Sequence, residues 1–273
     1  MPIVTLTTDI GQHDYLVGAI KGQLLALNPS FNIADITHYL SQSNYPQAAY
    51  VCSNAFGFYP KETFHIIILN VFETEPRQLL VARHNEQYIA CPDNGILTMI
   101  TGEKPKEIGS LNTSGHFTLL QLTQLFAETA ASLSKGKSLQ EVAGPATTIT
   151  ETYPLRATIG SNWIEGQILF IDNFENVVIN IKKDEFEEQR KNRTFKIIFK
   201  RDEAIEHISN NYASVNEGEK LAWFNSAGYL EIAVNKGNIA GLFGLQGFNE
   251  KMHRQNIAMH NKWFYQTVRI FFE

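Results

Sequence analysis

At 273 residues, with 44% hydrophobic and 19% charged residues, the chain has the length for two compact units or one large one. No apolar run approaches the roughly 18 to 20 residues of a membrane-spanning helix. The formal net charge of −5 comes without a concentrated Lys/Arg stripe, which argues against a nucleic-acid partner, because phosphate binding needs clustered positive charge. Cys52 and Cys91 are too few for a disulfide framework and lie in no Cys-x-x-Cys spacing, so both are expected to be buried small hydrophobes.

The opening Met1-Pro2-Ile3-Val4-Thr5-Leu6 lacks the basic and long apolar segments of a secretory leader and runs straight into a strand, so the expected location is the cytoplasm. A strand over residues 3–7 leads to an amphipathic helix over 15–27, stopped by Asn28-Pro29. A short strand at 32–35, a helix at 45–55, a strand at 63–69, a hairpin-like pair at 78–83 and 87–91, and a helix at 120–135 complete an α/β rhythm. After Gly144-Pro145 the texture changes to short β-rich pieces at 166–171, 177–181, 195–200, 220–224, 230–234 and 266–272. The mixed-sign run 182–193 is a solvated helix face or a loop. The expected fold is an α/β N-terminal domain, residues 1–152, and a smaller all-β, barrel-like C-terminal domain, residues 153–273.

Thr7-Thr8-Asp9-Ile10-Gly11 falls between the first strand and the first helix, where open α/β sheets place ligand contacts. An Asp there can accept two hydrogen bonds from a ribose diol, or cap the helix. Further along come Asp14, Gly18 and Lys21-Gly22, then Asp35-Ile36-Thr37-His38, Ala48-Ala49, Phe58-Tyr59-Pro60 and the turn-forming Pro92-Asp93-Asn94-Gly95. Phe126-Ala127 with Ala130-Ala131, Ile171-Asp172-Asn173-Phe174-Glu175-Asn176 with Asn180, and Asn225-Ser226-Ala227-Gly228-Tyr229-Leu230-Glu231-Ile232-Ala233 follow. As an ordered set these segments resemble the S-adenosylmethionine hydroxide adenosyltransferase family, relatives of the fluorinase and chlorinase, over nearly the whole chain.

The resemblance implies a trimer whose ligand sits between the N-terminal domain of one subunit and the C-terminal domain of its neighbour. It implies displacement at the ribose C5' by water or hydroxide, giving adenosine and methionine, with no metal and no cofactor beyond S-adenosylmethionine as substrate. Carried over by position, Asp9 holds the ribose hydroxyls. Asp172 and Ser226 meet the amino and carboxylate ends of methionine. Asn176 and the backbone from Asn238 to Ala240 meet the adenine edge. Without the resemblance, Asp172-Asn173 and Asn225-Ser226 are turn formers.

The water-activating members use an Asp, an Arg seven residues on and a His. Here Asn70, Arg77 and Gln121 occupy those positions, so the spacing is kept while the groups able to take a proton near neutral pH are replaced. Glu73, Glu75 and His116 are the candidate substitutes. His38 and His65 are expected to be structural. Two functions compete: an enzyme hydrolysing S-adenosylmethionine at C5', and a non-catalytic S-adenosylmethionine or adenosine binder that has lost water activation.

Overall fold

In the computed structural model, which describes residues 2–75, 77–200, 203–245 and 266–273, the chain divides between Pro154 and Leu155. The first unit runs β1 (Ile3–Thr8), α1 (Leu16–Leu27), β2 (Asn32–Thr37), α2 (Tyr45–Phe56), β3 (Phe64–Ile68), β4 (Leu79–His84) and β5 (Gln87–Pro92). It continues through α3 (Ile96–Thr101), β6 (Glu107–Leu111), α4 (Leu119–Ser134), α5 (Leu139–Val142) and β7 (Gly144–Pro145). Its strands form one sheet in the order β2-β1-β3-β5-β4-β6-β7. β1, β2, β3 and β5 are parallel, β4 is antiparallel to both β5 and β6, and β6 therefore points the same way as β1 and β3.

Every residue of β3, Phe-His-Ile-Ile-Ile, is buried, because the sheet is covered on both faces. Ile66 and Ile68 pack with Leu24 and Phe126 of α1 and α4, while Ile67 packs with Cys52 and Leu97 of α2 and α3. In α4, Leu122, Phe126 and Ala130 recur at a spacing of four and form its buried stripe. Cys52 and Cys91 are buried and unpaired, as their surroundings in the sequence imply.

The second unit contains β8 (Thr158–Ile159), β9 (Trp163–Ile171), β10 (Val177–Lys182), α6 (Lys183–Arg190), β11 (Phe195–Lys200), β12 (Glu203–Ile205), β13 (Lys220–Phe224), β14 (Tyr229–Val234), α7 (Ile239–Leu242) and β15 (Thr267–Phe272). Its sheet runs β12-β11-β15-β9-β10-β14-β13, and β12 and β13 return near one another, so the sheet is nearly closed and barrel-like. Inward residues such as Ile164, Ile168, Ile179, Ile232 and Ile270 fill the core. The mixed-charge run is a helix, α6, fastened by Phe186 alone among its residues, which meets Phe195 edge-on at 5.1 Å. Several short elements went unread in the sequence: α3, α5, β6, β7, β8, β12 and α7. α3 spans six residues, too few for a helical period, and β6 alternates only weakly in polarity.

Candidate functional site

Asp9 follows β1 directly and is 4% exposed. Its backbone N–H donates to the Ile68 carbonyl at 3.0 Å, so it lies against the carboxyl end of the neighbouring parallel strand β3. Its Oδ2 accepts the Asn70 backbone N–H at 2.8 Å. The capping role open to it from sequence falls instead to Asp14, whose Oδ1 accepts the Leu16 N–H at 2.9 Å as α1 begins. Asp9 is thus a buried carboxylate among the loops that follow the parallel strands, the usual place for a ligand in such sheets.

Asn70 has φ 46, a left-handed conformation that Asn tolerates better than most residues. Asn94, in the Pro92-Asp93-Asn94-Gly95 turn, donates Nδ2–H to the Leu69 carbonyl at 2.8 Å and so holds this strand end. Gly95 has φ +92, and a Cβ built on it would lie 2.4 Å from Thr152 Oγ1, which makes glycine necessary there. The turn shapes the strand end and brings no titrating side chain other than Asp93. That carboxylate accepts from the Thr150 N–H at 2.7 Å and from Gln78 Nε2 at 2.8 Å.

Beside Asn70 stands Tyr45, the first residue of α2. Asn44 fixes its place by capping the helix, accepting the Gln47 N–H at 3.1 Å, and Pro46 follows at a position that needs no donor. Asn70 Nδ2 donates to Tyr45 Oη at 3.5 Å, and Tyr45 Oη–H donates to Glu73 Oε2. Burial and the Glu73 carboxylate push the Tyr45 phenol above its ordinary pKa, so it stays protonated at neutral pH.

Arg77 turns to another partner. It pairs with Glu75 and lies 5.1 Å over the Phe72 ring, while its carbonyl accepts from Thr113 in the loop between β6 and α4. Gln121 is exposed and forms a capping box at the start of α4: its Oε1 accepts the Phe117 and Thr118 N–H groups, both at 2.9 Å. Among the described residues neither Arg77 nor Gln121 is hydrogen-bonded to Asn70. His116 Nδ1 lies 3.0 Å from the Ser114 carbonyl.

His38 and His65 are both core residues. His38 Nδ1 is 2.9 Å from Thr8 Oγ1, and Nε2 is 3.2 Å from Asp35 Oδ1 but off the hydrogen-bonding direction. Burial outweighs the Asp35 carboxylate and lowers its pKa. His65 stacks on Phe56 at 3.8 Å and contacts Thr5 Oγ1 at 2.7 Å, and burial pushes its imidazole down to about 4.

In the second unit, Asp172 closes the turn between β9 and β10. Its Oδ1 accepts the Phe174 and Asn176 N–H groups at 2.9 and 2.8 Å, and Oδ2 accepts Asn176 Nδ2 at 3.0 Å. The chain of bonds continues inward: Asn176 Nδ2 to Tyr212 Oη at 3.3 Å, and Tyr212 Oη–H to Glu231 Oε1 at 2.5 Å. Glu231, 4% exposed, also accepts Trp223 Nε1 at 2.9 Å and Asn225 Nδ2 at 3.3 Å. These bonds orient Asn176 so that its amide nitrogen faces the network. Ser226 is exposed at the tip of the β13–β14 hairpin, which Asn225 Oδ1 closes by accepting the Ala227 N–H at 3.0 Å. Asn238 caps α7 through Gly241, and the Ala240 N–H donates to the Glu175 carbonyl at 3.0 Å, tying α7 to the Asp172 turn.

Sequence reasoning overlooked Tyr45, Tyr212 and the buried role of Glu231. A carboxylate inside the otherwise apolar Leu230-Glu231-Ile232-Ala233 was the available signal for Glu231. For Tyr45 it was the position next to a cap, at the start of a helix that rises from the carboxyl edge of the sheet.

An α/β unit with polar groups gathered at that edge is followed by a barrel-like β unit, a two-domain architecture. Models described as the SAM hydroxide adenosyltransferase N-terminal and C-terminal domains match residues 4–143 and 166–250. The chain belongs to the SAM hydroxide adenosyltransferase family. A relative from Methanocaldococcus jannaschii named (R)-S-adenosyl-L-methionine hydrolase is 26% identical over 263 residues, covering 92% of this chain and 95% of the relative. One of the same name from Thermus thermophilus is 26% identical over 263 residues, covering 89% and 96%. The crystal structure of an uncharacterized conserved protein from Thermotoga maritima superimposes with a TM-score of 0.80 at 25% identity, covering 98% of this chain and 99% of that one. Among the described residues no helix is long and apolar enough to cross a membrane.

Proposed function

We propose that this chain hydrolyses S-adenosylmethionine, water attacking the ribose C5' opposite the sulfonium so that methionine leaves as a neutral thioether and adenosine remains. The observation that carries the proposal is the buried Asp9 carboxylate joined to Asn70 across the ends of β1 and β3. It sets an acceptor for the ribose diol beside the residue at the family's water-activating position. In this reading Asp172 and Ser226 meet the ends of methionine, and Asn176, Asn238 and Ala240 meet adenine. Arg77 and Asn70 shape the nucleophile pocket, and Gln121 holds the loop that Thr113 fastens to Arg77.

The reading includes a trimer, with the ligand shared by the first unit of one copy and the second unit of the next. Exposed rings on the loops after β1, β3 and β6, namely Tyr15, Phe72 and Phe117, fit an edge that another surface covers. Purified protein incubated with S-adenosylmethionine is expected to release equal amounts of adenosine and methionine, resolved by chromatography. No product above a protein-free control, across pH, overturns the proposal.

A non-catalytic binder is the second reading. Gln121, whose amide oxygen is committed to capping α4, and Arg77, paired with Glu75, favour it. Saturable calorimetric binding without product selects it.

A further inference from the structure

The family's spacing leaves position 70 without a carboxylate, and a water held by an amide keeps its proton. Three side chains were candidates to replace that group, and the structure separates them. Glu75 is taken up by Arg77, and the His116 ring contacts the carbonyl of its own loop. Glu73 alone reaches Asn70, and it does so through Tyr45: Asn70 Nδ2 to Tyr45 Oη at 3.5 Å, then Tyr45 Oη–H to the Glu73 carboxylate. The charge lost at position 70 thus recurs three residues along the same loop, joined back by a phenol supplied from the start of α2.

We infer that Tyr45 and Glu73 form the proton-accepting pair of this chain, Tyr45 meeting the nucleophilic water and Glu73 receiving the proton through it. The inference rests on the hydrolytic reading above. Tyr45 Oη donates its own hydrogen to Glu73 and accepts one from Asn70, which leaves its second lone pair for a water O–H. The Asn70 amide, oriented by donating Nδ2–H to Tyr45, turns Oδ1 towards the water's other hydrogen.

In the reaction step the water O–H bond breaks and its proton passes to Tyr45 Oη as the Tyr45 proton passes to Glu73. The water oxygen bonds to C5', and the C5'–S electron pair leaves on sulfur. Glu73 is exposed, so its proton then returns to solvent and the cycle closes with adenosine, methionine and one released proton. The raised pKa of Tyr45 agrees with a phenol that passes a proton on without resting as phenolate.

Steady-state kinetics on the full chain test the inference. Tyr45→Phe and Glu73→Ala are each expected to lower kcat about 10²- to 10³-fold, within the range general-base groups supply, with KM within about threefold. Formate, a small carboxylate that fits the space left by Glu73→Ala, is expected to restore at least about tenfold of the lost rate while leaving Tyr45→Phe unchanged. Glu73→Asp should fall between wild type and Glu73→Ala. Adenosine affinity by calorimetry, expected to be unaltered, establishes that each variant keeps its site.

Wild-type turnover with undiminished kcat in both variants overturns the inference and leaves the hydrolytic reading intact. A kcat loss that formate does not restore assigns Glu73 a structural role and also overturns it. Wild-type protein that binds S-adenosylmethionine and releases no adenosine overturns both.

Discussion

Replacing Glu231 with Gln probes the polar network that holds the Asp172 turn of the second unit. The carboxylate accepts three donors: the Tyr212 hydroxyl at 2.5 Å, the Trp223 indole at 2.9 Å and the Asn225 amide at 3.3 Å. Gln can keep its Oε1 towards Tyr212 and Trp223, but its Nε2 then faces the Asn225 amide, donor against donor. Hydrogen bonds to a charged acceptor contribute about 1.5–3 kcal/mol against about 1 for neutral pairs, and an orphaned buried donor costs about 1–3 kcal/mol. The smaller desolvation cost of an amide offsets part of this, leaving an expected loss of about 2 kcal/mol.

All three tryptophans, Trp163, Trp223 and Trp263, lie after Pro154, so tryptophan emission during urea denaturation follows that unit. With m of about 2 kcal/mol/M, the midpoint should fall by about 1 M. The same experiment with Tyr212→Phe and with the double variant should show a coupling of about 0.5–3 kcal/mol. An unchanged or raised midpoint for Glu231→Gln would refute the reasoning, since burial of the charge would then outweigh its three bonds.

Asp9→Ala is expected to weaken both S-adenosylmethionine and adenosine by about 10- to 100-fold in calorimetry, the worth of one charged acceptor for a sugar hydroxyl. Ser226→Ala, at an exposed hairpin tip, should move the urea midpoint by less than about 0.5 kcal/mol equivalent, so any loss of S-adenosylmethionine affinity reports direct contact; adenosine affinity should not change. His65 titrates near 4 when folded against 6.5 unfolded, so between those values the unfolded chain binds more protons and stability falls as pH drops. Its contribution, full above pH 6.5, is reduced by about 2 kcal/mol at pH 5, and His65→Gln should flatten that part of the stability profile. Asn70→Asp, at a backbone conformation Asp also tolerates, should leave kcat within about tenfold of wild type if Tyr45 and Glu73 already take the proton. A gain of about 10²- to 10⁴-fold would place the missing base at position 70 and remove it from Glu73.

Elements with long or strict periods were legible from sequence: the buried stripe of α4, the wholly apolar β3 and the alternating β9 each announce their surroundings through residue type alone. α3 was not, because six residues between two left-handed glycines, Gly95 and Gly102, hold less than two helical turns. Charge patterning also misled in proportion to its ambiguity. The run 182–193 reads as solvated whichever structure it takes, and only Phe186 tells that one side of it is buried.

The site divides along the same physical line. The placement of Asp9 was legible because it depends on where a strand ends, a property of the chain's own periodicity. The Glu73–Tyr45–Asn70 link was not, because it joins a loop to the first residue of α2 across 28 positions, and no spacing rule constrains two segments that meet only when the sheet edge forms. Matching positions therefore tracked Asn70, Arg77 and Gln121 as places and could not say what stands beside them. Gln121 illustrates the converse: read from the sequence as a pocket residue, it has an amide that satisfies the free N–H groups at the start of α4, a need that any helix with this entry would have. Chemistry lost at one position of a variable loop can return at another if a rigid element supplies a relay, and a residue anchored by an N-cap and a following proline, as Tyr45 is, meets that requirement.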